Sequence, residues 1–497
     1  MTITTDHQAT IDSALRVDGV QLIGGEWVTS GTGRTIDVVN PANREVIARV
    51  PRSDADDVDL AIKAAEKAFP AWRDLDASSR ARLLFRWADL IEEHNAELDS
   101  LESQEVGRPS WGPPPMANQI RFIAGQADKV QGVSLPTRST GSLGLTLREP
   151  YGVVGGVIPW NAPGPMFANE VGPAIAAGNT MVMKPAEDAP LTPLALAKLA
   201  LEAGIPAGVI NVVTGYGHEA GAAIPADPRI RRMGFTGSPQ TGRAIMESCA
   251  RNLTPLHLEL GGKSPQVVFP DADLDAAIPA MTMGITLNTG QVCAAGSRVV
   301  VHRSIHAEVV ERLAAQMRKV TVGPWHQQVA MGPLINQKQH ERVLSYIEIG
   351  KEQGAELVTG GGRPQGEEFG DGFFVEPTLF DKVSPGMRIA QEEIFGPVLS
   401  VIPVDDEAEA IEVANGVDYG LVASVWTRDI GTAVRASRAL QAGQVGVNTP
   451  IGAGTVIGGP FGGYKNSGFG RTMGADSVLD WTQVKTVSMQ GAPIPRG

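Results

Sequence analysis

Between residues 152 and 270, short apolar runs rich in Val and Ile alternate with longer helix-like stretches. Strands covered on both faces read as continuous apolar runs, so the pattern is that of repeated βα units around a parallel sheet. It predicts strands over 152–159, 180–184, 209–213, 231–235 and 256–260, with helices between them. Thr192 followed by Pro193 reads as an N-cap with proline at the first helical position, and Gly204 with Pro206 closes that helix. A second α/β region covers about 264–448, with helical periodicity over 271–286, 306–320 and 336–353 and strand-like runs at 298–302 and 398–403. Segment 354–377 is dense in Gly and charge and is expected to be surface loops. Two segments fit neither region: 131–148 and 481–489 place Thr, Val and Leu at roughly alternate positions. Strands need partners, so a small sheet of their own is predicted, its exposed edge suited to a neighbouring subunit.

Length and composition sharpen this picture. A chain of 497 residues exceeds one ordinary core, which implies two or three domains. With 42% hydrophobic and 20% charged residues, and no run of 18 apolar residues, a soluble globular protein without a membrane span is expected. The first residues are polar and acidic, so neither a secretory signal nor a transit peptide is visible, and 1–15 reads as a flexible N-terminal arm. A net charge of -13 gives no global attraction to nucleic acid or anionic lipid, which favours small-molecule chemistry. Only Cys249 and Cys293 are present, so there is no disulfide framework, and a reducing cytoplasm fits.

Several motifs carry possible chemistry. Gly215, Gly217 and Gly221 follow a strand and resemble a dinucleotide fingerprint with one residue too many before the last glycine; in a chain with 58 glycines that spacing alone is weak. The run from Phe235 through Gly237 and Ser238 to Gly242 also joins a strand to a helix, where backbone N–H groups at a positive helix end suit a pyrophosphate, or make an ordinary tight turn. Gly261-Gly262-Lys263-Ser264 imitates the end of a P-loop, but His257 stands where the first glycine should, which rejects a nucleotide triphosphatase. His302 and His306 are four apart with no carboxylate or thiol to complete a metal set, so surface histidines are expected and no metal is predicted. No GxSxG occurs, removing the usual serine-hydrolase signature.

Cys293 lies in Asn288-Thr289-Gly290-Gln291-Val292-Cys293-Ala294-Ala295-Gly296, where small neighbours leave room for a substrate carbonyl and bare the backbone N–H. Cys249 sits among ordinary residues of a helix-like stretch and is expected to be packing. Glu259 ends an apolar strand; partial desolvation would lift its pKa toward neutrality and suit it to general base work, while a plain surface charge is the alternative.

With these residues in view, the chain resembles the aldehyde dehydrogenase superfamily from about 17 to 489. Seven motifs carry the likeness in the family's order: Val157-Ile158-Pro159-Trp160-Asn161, Lys184-Pro185-Ala186-Glu187, Phe235-Thr236-Gly237-Ser238, Leu258-Glu259-Leu260-Gly261-Gly262-Lys263, Gly290-Gln291-Val292-Cys293, Glu392-Glu393-Ile394-Phe395-Gly396-Pro397-Val398 and Pro460-Phe461-Gly462-Gly463-Tyr464-Lys465. The resemblance implies an α/β chain in three parts: a five-stranded Rossmann-like NAD-binding domain (16–130 and 149–261), an α/β catalytic domain (262–459) and a β oligomerisation arm (131–148 and 478–492). It further implies Cys293 as nucleophile, Glu259 as base, and Asn161 with the Cys293 N–H as oxyanion donors. Cofactor contacts are implied for Ile158, Pro159, Trp160, Lys184, Glu187, Gly217, Gly221, Phe235, Gly237, Ser238, Leu260, Glu393 and Phe395. Lys184 and Glu187 would meet the adenine ribose, Ser238 the pyrophosphate, Glu393 the nicotinamide ribose and Phe395 the nicotinamide.

The same likeness leads to expectations about substrate and partners. Glu187 would repel a 2'-phosphate, so NAD is expected, with NADP as a weaker second choice. Members that transfer the acyl group to coenzyme A generally lack the base glutamate, so Glu259 favours hydrolysis; relatives reducing acyl phosphates keep more of the set and are not excluded by it. A thiol esterase, which would use the same cysteine and oxyanion site without redox change in a cofactor, and a binding protein that keeps the scaffold are the competing functions. Ala162 stands where many members have a large aromatic, and a glycine-rich stretch over 449–459 precedes Phe461. With Val292 and Ala294 beside the thiol, a wide apolar entrance for a bulky or aromatic aldehyde is expected, and a homodimer or homotetramer without nucleic acid or membrane partners.

Overall fold

The computed structural model describes residues 15–110, 116–138, 141–451 and 458–491. The expected loose N-terminal arm, apart from Leu15, and positions 452–457 of the glycine-rich stretch lie outside the described residues.

Two sheets meet end to end. The first runs in the order Glu26–Val28, Gln21–Ile23, Ile210–Val212, Thr180–Lys184, Val153–Val157, Met233–Thr236, Leu256–Glu259 and Gly468–Phe469. Its five inner strands, from Ile210–Val212 to Leu256–Glu259, are parallel, whereas both edges are extended by antiparallel pairing. The five parallel strands are those predicted, trimmed by a residue or two at most ends. The flanking antiparallel strands come from distant parts of the chain and left no local periodicity to read. Glycines let the middle of this sheet close: a Cβ at Gly155 would come within 2.5 Å of Ile224, and one at Gly156 within 2.6 Å of both Met181 and Met183.

The second sheet has the order Glu356–Thr359, Thr378–Asp381, Val398–Val404, Arg298–His302, Pro265–Val268, Val422–Trp426 and Gln444–Val447. All its neighbours are parallel except the antiparallel first pair. Segment 354–377 is therefore not loops throughout. Leu357 and Val358 make Glu356–Thr359 an edge strand, and Phe373 and Phe374 are buried. Dense glycine and charge around them concealed this.

Helix Leu191–Glu202 corrects another expectation. It starts one residue before Thr192, with Pro190 at the cap position and no cap from its own side chain. Glu105, buried on helix Asn95–Val106, caps it from outside, accepting hydrogen bonds from the N–H groups of Leu191 (2.7 Å) and Thr192 (2.9 Å) and from the Thr192 hydroxyl (2.5 Å).

Strands Ser134–Leu135, Ser142–Pro150 and Thr482–Gln490 form the separate small sheet predicted for the two orphan segments, the last two paired along nine residues each. Among the described residues no helix is long and apolar enough to cross a membrane.

Candidate active site

The chain passes straight from the end of one sheet to the start of the other through 260–264. The carboxyl ends of the first sheet's parallel strands thus face the amino ends of the second sheet's strands. Carboxyl ends of parallel strands are where α/β sheets present their loops for binding. Glu259 ends its strand there, Asn161 follows strand Val153–Val157, and Cys293 and Glu393 precede strands Arg298–His302 and Val398–Val404.

Glycines set how close these loops come. A Cβ on Gly262 would sit 2.4 Å from the Cys293 carbonyl oxygen, one on Gly261 2.1 Å from a Glu393 carboxylate oxygen, and one on Gly290 2.3 Å from the Gly396 backbone. Immediately before Cys293, Asn288, Thr289 and Gly290 all adopt positive φ (48°, 58° and 71°), and Phe395 does so at 63°. Left-handed conformations at non-glycine residues cost of order 1–3 kcal/mol each and persist only where the surroundings hold them. Here a buried amide cluster does so. Asn161 donates its Nδ2 to the Gln291 carbonyl (2.9 Å), Asn288 donates to the Asn161 carbonyl (2.8 Å), and Gln291 donates to the Asn288 carbonyl (3.2 Å). Asn161 is thereby brought beside the cysteine loop. Asn288 and Gln291 had no assigned role from sequence, although both stand inside the Cys293 motif.

Electrostatics around the thiol are dominated by burial. Glu259 is 3% exposed, neither carboxylate oxygen has a hydrogen-bond partner, and desolvation, then Glu393, lift its pKa to about 8. A plain surface charge at this position is thus excluded. Desolvation followed by the carboxylates of Glu259 and Glu393 pushes the Cys293 thiol well above its ordinary value. Glu393 accepts from the Gly262 N–H (3.0 Å) and is itself raised to about 7 by burial. Cys249 is fully buried among apolar side chains, with burial raising it to about 11, in keeping with packing.

Other expected cofactor residues fall along the same edge. Lys184 is buried, donates Nζ to the Pro185 carbonyl (2.7 Å) and to Glu187 (3.3 Å), and is lowered by desolvation despite Glu187. Gly221 lies against it, since a Cβ there would reach the Lys184 chain at 3.2 Å. Gly217 opens the short π-helical turn Gly217–Gly221, where a Cβ would meet nothing within 4 Å. Ser238 caps the 14-residue helix Pro239–Asn252, its hydroxyl accepting from the Thr241 N–H (3.2 Å); Gly237 donates to the Glu259 carbonyl (3.0 Å) and packs on Phe235. Ile158 is buried, Pro159 is half-buried, and the half-buried Trp160 meets Phe395 edge to face at 5.3 Å. Leu260 is buried against Gly242. Of the expected substrate residues, Val292, Ala294 and Phe461 gather with Cys293, Leu421, Val422 and Ile451 in one apolar cluster. Ala162 begins helix Pro163–Ala176 and is not part of it. His302 bonds Ser304 and His306 pairs with Asp381, and the described residues contain no group of acidic, His and Cys side chains suited to a metal.

The strand ends of a Rossmann-like sheet thus open onto a half-buried thiol, a buried amide and a buried acid. The model of the aldehyde dehydrogenase family matches residues 27–487. Aldehyde dehydrogenase 1 of Tanacetum cinerariifolium is 45% identical over 479 residues, covering 94% of each chain, and cytosolic aldehyde dehydrogenase 1 of Rattus norvegicus is 44% identical with the same coverage. The structure of an aldehyde dehydrogenase from Bacillus cereus, an NAD+ complex, superposes with a TM-score of 0.92 at 42% identity, covering 95% of this chain and 97% of that one. This chain belongs to the aldehyde dehydrogenase family and has its fold.

Proposed function

We propose that this enzyme oxidises an aldehyde to the carboxylic acid with NAD+ and water, through a hemithioacetal and then a thioester on Cys293. The observation that carries the reading is the convergence of Cys293, Asn161 and Glu259 from separate strand ends onto one site, with Asn161 hydrogen-bonded to the residue two before the thiol. Sγ, once its proton is removed, adds to the aldehyde carbon; Asn161 and the Cys293 N–H stabilise the oxyanion. NAD+, when bound, supplies the hydride acceptor that turns the hemithioacetal into a thioester. Water then attacks the thioester carbon as Glu259 takes its proton, the C–S bond breaks, and its electron pair returns to Sγ.

The chain's residues suit the dinucleotide. The positive N-terminal end of helix Pro239–Asn252 suits a pyrophosphate, and Lys184 and Glu187 stand together for a ribose. A ribose diol can donate to Glu187, whereas a 2'-phosphate would face its charge, so NAD+ is preferred over NADP+. Because the cluster beside Cys293 is built of Val292, Ala294, Leu421, Val422, Ile451 and Phe461, the substrate is a bulky apolar or aromatic aldehyde. The protein acts in a reducing cytoplasm, with two unpaired thiols, as a homodimer or homotetramer.

The test is NADH formation at 340 nm over aliphatic and aromatic aldehydes, with and without coenzyme A, beside Cys293→Ala. Reduction without coenzyme A, absent in the variant and fastest for aromatic aldehydes, is expected. Dependence on coenzyme A would reassign the enzyme to acyl transfer; a kcat/KM maximum for acetaldehyde or a charged semialdehyde would overturn the substrate assignment, and equal kcat/KM with NADP+ the cofactor preference.

A further inference from the structure

Strand Leu256–Glu259 alternates its faces. Leu258 packs into the apolar core with Ile245 and Cys249, so His257 and Glu259 share the opposite face. There His257 (2% exposed) meets Glu170 (1% exposed) of helix Pro163–Ala176, the helix that begins just after Asn161, with Nε2 3.0 and 3.1 Å from the two carboxylate oxygens. The space is made for this pair. A Cβ on Gly234, the strand neighbour of His257, would lie 2.3 Å from a Glu170 oxygen and 2.9 Å from the imidazole, and one on Gly470 would lie 2.5 Å from the His257 Cβ. On the outer side, His257 Nδ1 is 3.4 Å from Asp480, which also pairs with Arg232, and Trp481 closes over the ring edge to face at 5.4 Å.

A buried ion pair is a poor device for stability, since desolvating both charges offsets most of their attraction. Its place, two residues from the base, gives it a different use. We propose that the Glu170–His257 pair supports the general base: the imidazolium counters the negative charge that Glu170, Glu393 and Glu259 itself bring to one dry pocket, so that Glu259 can ionise while a thioester waits for water. This rests on Glu259 being the base. The groups facing Glu259 are Glu393, the Cys293 thiol, Glu170 and His257, of which the two other carboxylates raise its pKa and His257 lowers it. Those facing His257 are Glu170, Asp480 and Arg232; burial lowers its pKa, but the two carboxylates more than offset this and bring it to about 9, charged at neutral pH.

The experiment follows the pH dependence of thioester hydrolysis after the NADH burst in rapid mixing, on the full-length enzyme. H257Q removes the cation, and the rising limb should move up by roughly one pH unit with the burst amplitude kept. The double variant E170Q/H257Q removes both charges and should bring the limb back toward wild type, whereas damage to packing would accumulate. Should H257Q fail to fold, E170Q serves instead: with Asp480 still beside the ring, the imidazolium then acts unopposed by Glu170, and the limb should move down. A limb unmoved in a folded, NAD+-binding single variant, or displaced further in the double, overturns the proposal. A limb that survives E259Q overturns the base assignment instead.

Discussion

The thiol of Cys293, the proposed nucleophile, sits in unfavourable electrostatics for a thiolate. Burial, reinforced by the carboxylates of Glu259 and Glu393 as they ionise, raises its pKa, and the neighbouring Glu259 reaches its base form only as pH rises through about 8. In the cofactor-free enzyme, alkylation of Cys293 by iodoacetamide should therefore be slow at pH 7 and climb steeply above pH 8, read by mass spectrometry, with the buried Cys249 unlabelled throughout. Full labelling at pH 6 would contradict this ordering of charges. Asn161→Ala removes the proposed oxyanion donor together with the bond to Gln291, and a loss of about 100- to 1000-fold in kcat is expected, with NAD+ affinity retained in titration. Cys293 and Glu259 drew attention through their runs of small or apolar neighbours, whereas Asn161 entered only through the family resemblance. Gln291 and Asn288 were not, since buried amides gain their roles only when two loops meet. His257 offered one signal that could have been followed: it stands two before Glu259 on a strand, hence on the same face.

Regular elements were legible wherever they carry their own periodicity. Four strands of the first sheet and helices Leu274–Thr286, His306–Met317 and Gln337–Glu352 fall inside their predicted spans. What stayed hidden depends on distant partners, and the start of helix Leu191–Glu202 is the clearest instance, because its cap is a carboxylate 87 residues away. Glu105→Ala would leave two buried N–H groups unpaired and should cost ~1–3 kcal/mol in urea unfolding. Burial raises Glu105 to about 8 in the folded chain. A raised carboxylate contributes stability that is complete below its unfolded pKa and is lost as pH rises through the folded value. The wild type should accordingly lose stability relative to Glu105→Gln between pH 5 and pH 8, measured as the difference in urea midpoint, and a difference constant over that range would refute the burial account.

At the scale of the whole molecule, the two α/β regions and the orphan strands were readable from alternating pattern, but the order of strands was not, because no local feature says that Gly468–Phe469 returns to pair with the strand bearing Glu259. The small sheet makes the strongest demand on what lies outside the chain. In its long antiparallel pair, Leu143 faces Met489, Leu145 faces Val487 and Leu147 faces Lys485, so five apolar side chains share one face. Leu143, Leu147 and Met489 are 51%, 43% and 48% exposed. Contiguous apolar surface of this kind marks a contact, and strand Thr482–Gln490 at the sheet's edge leaves a row of backbone groups for a further strand. A second copy of this chain is the expected partner. Light scattering coupled to size exclusion should give a mass of two or four chains. The double substitution Leu147→Asp and Met489→Asp puts charges on that face without touching either α/β sheet, and it should shift the mass downward while far-UV circular dichroism stays unchanged. If the mass holds, the chains associate through another surface and this face has a different occupant; if wild type is already a single chain, the assembly itself is refuted.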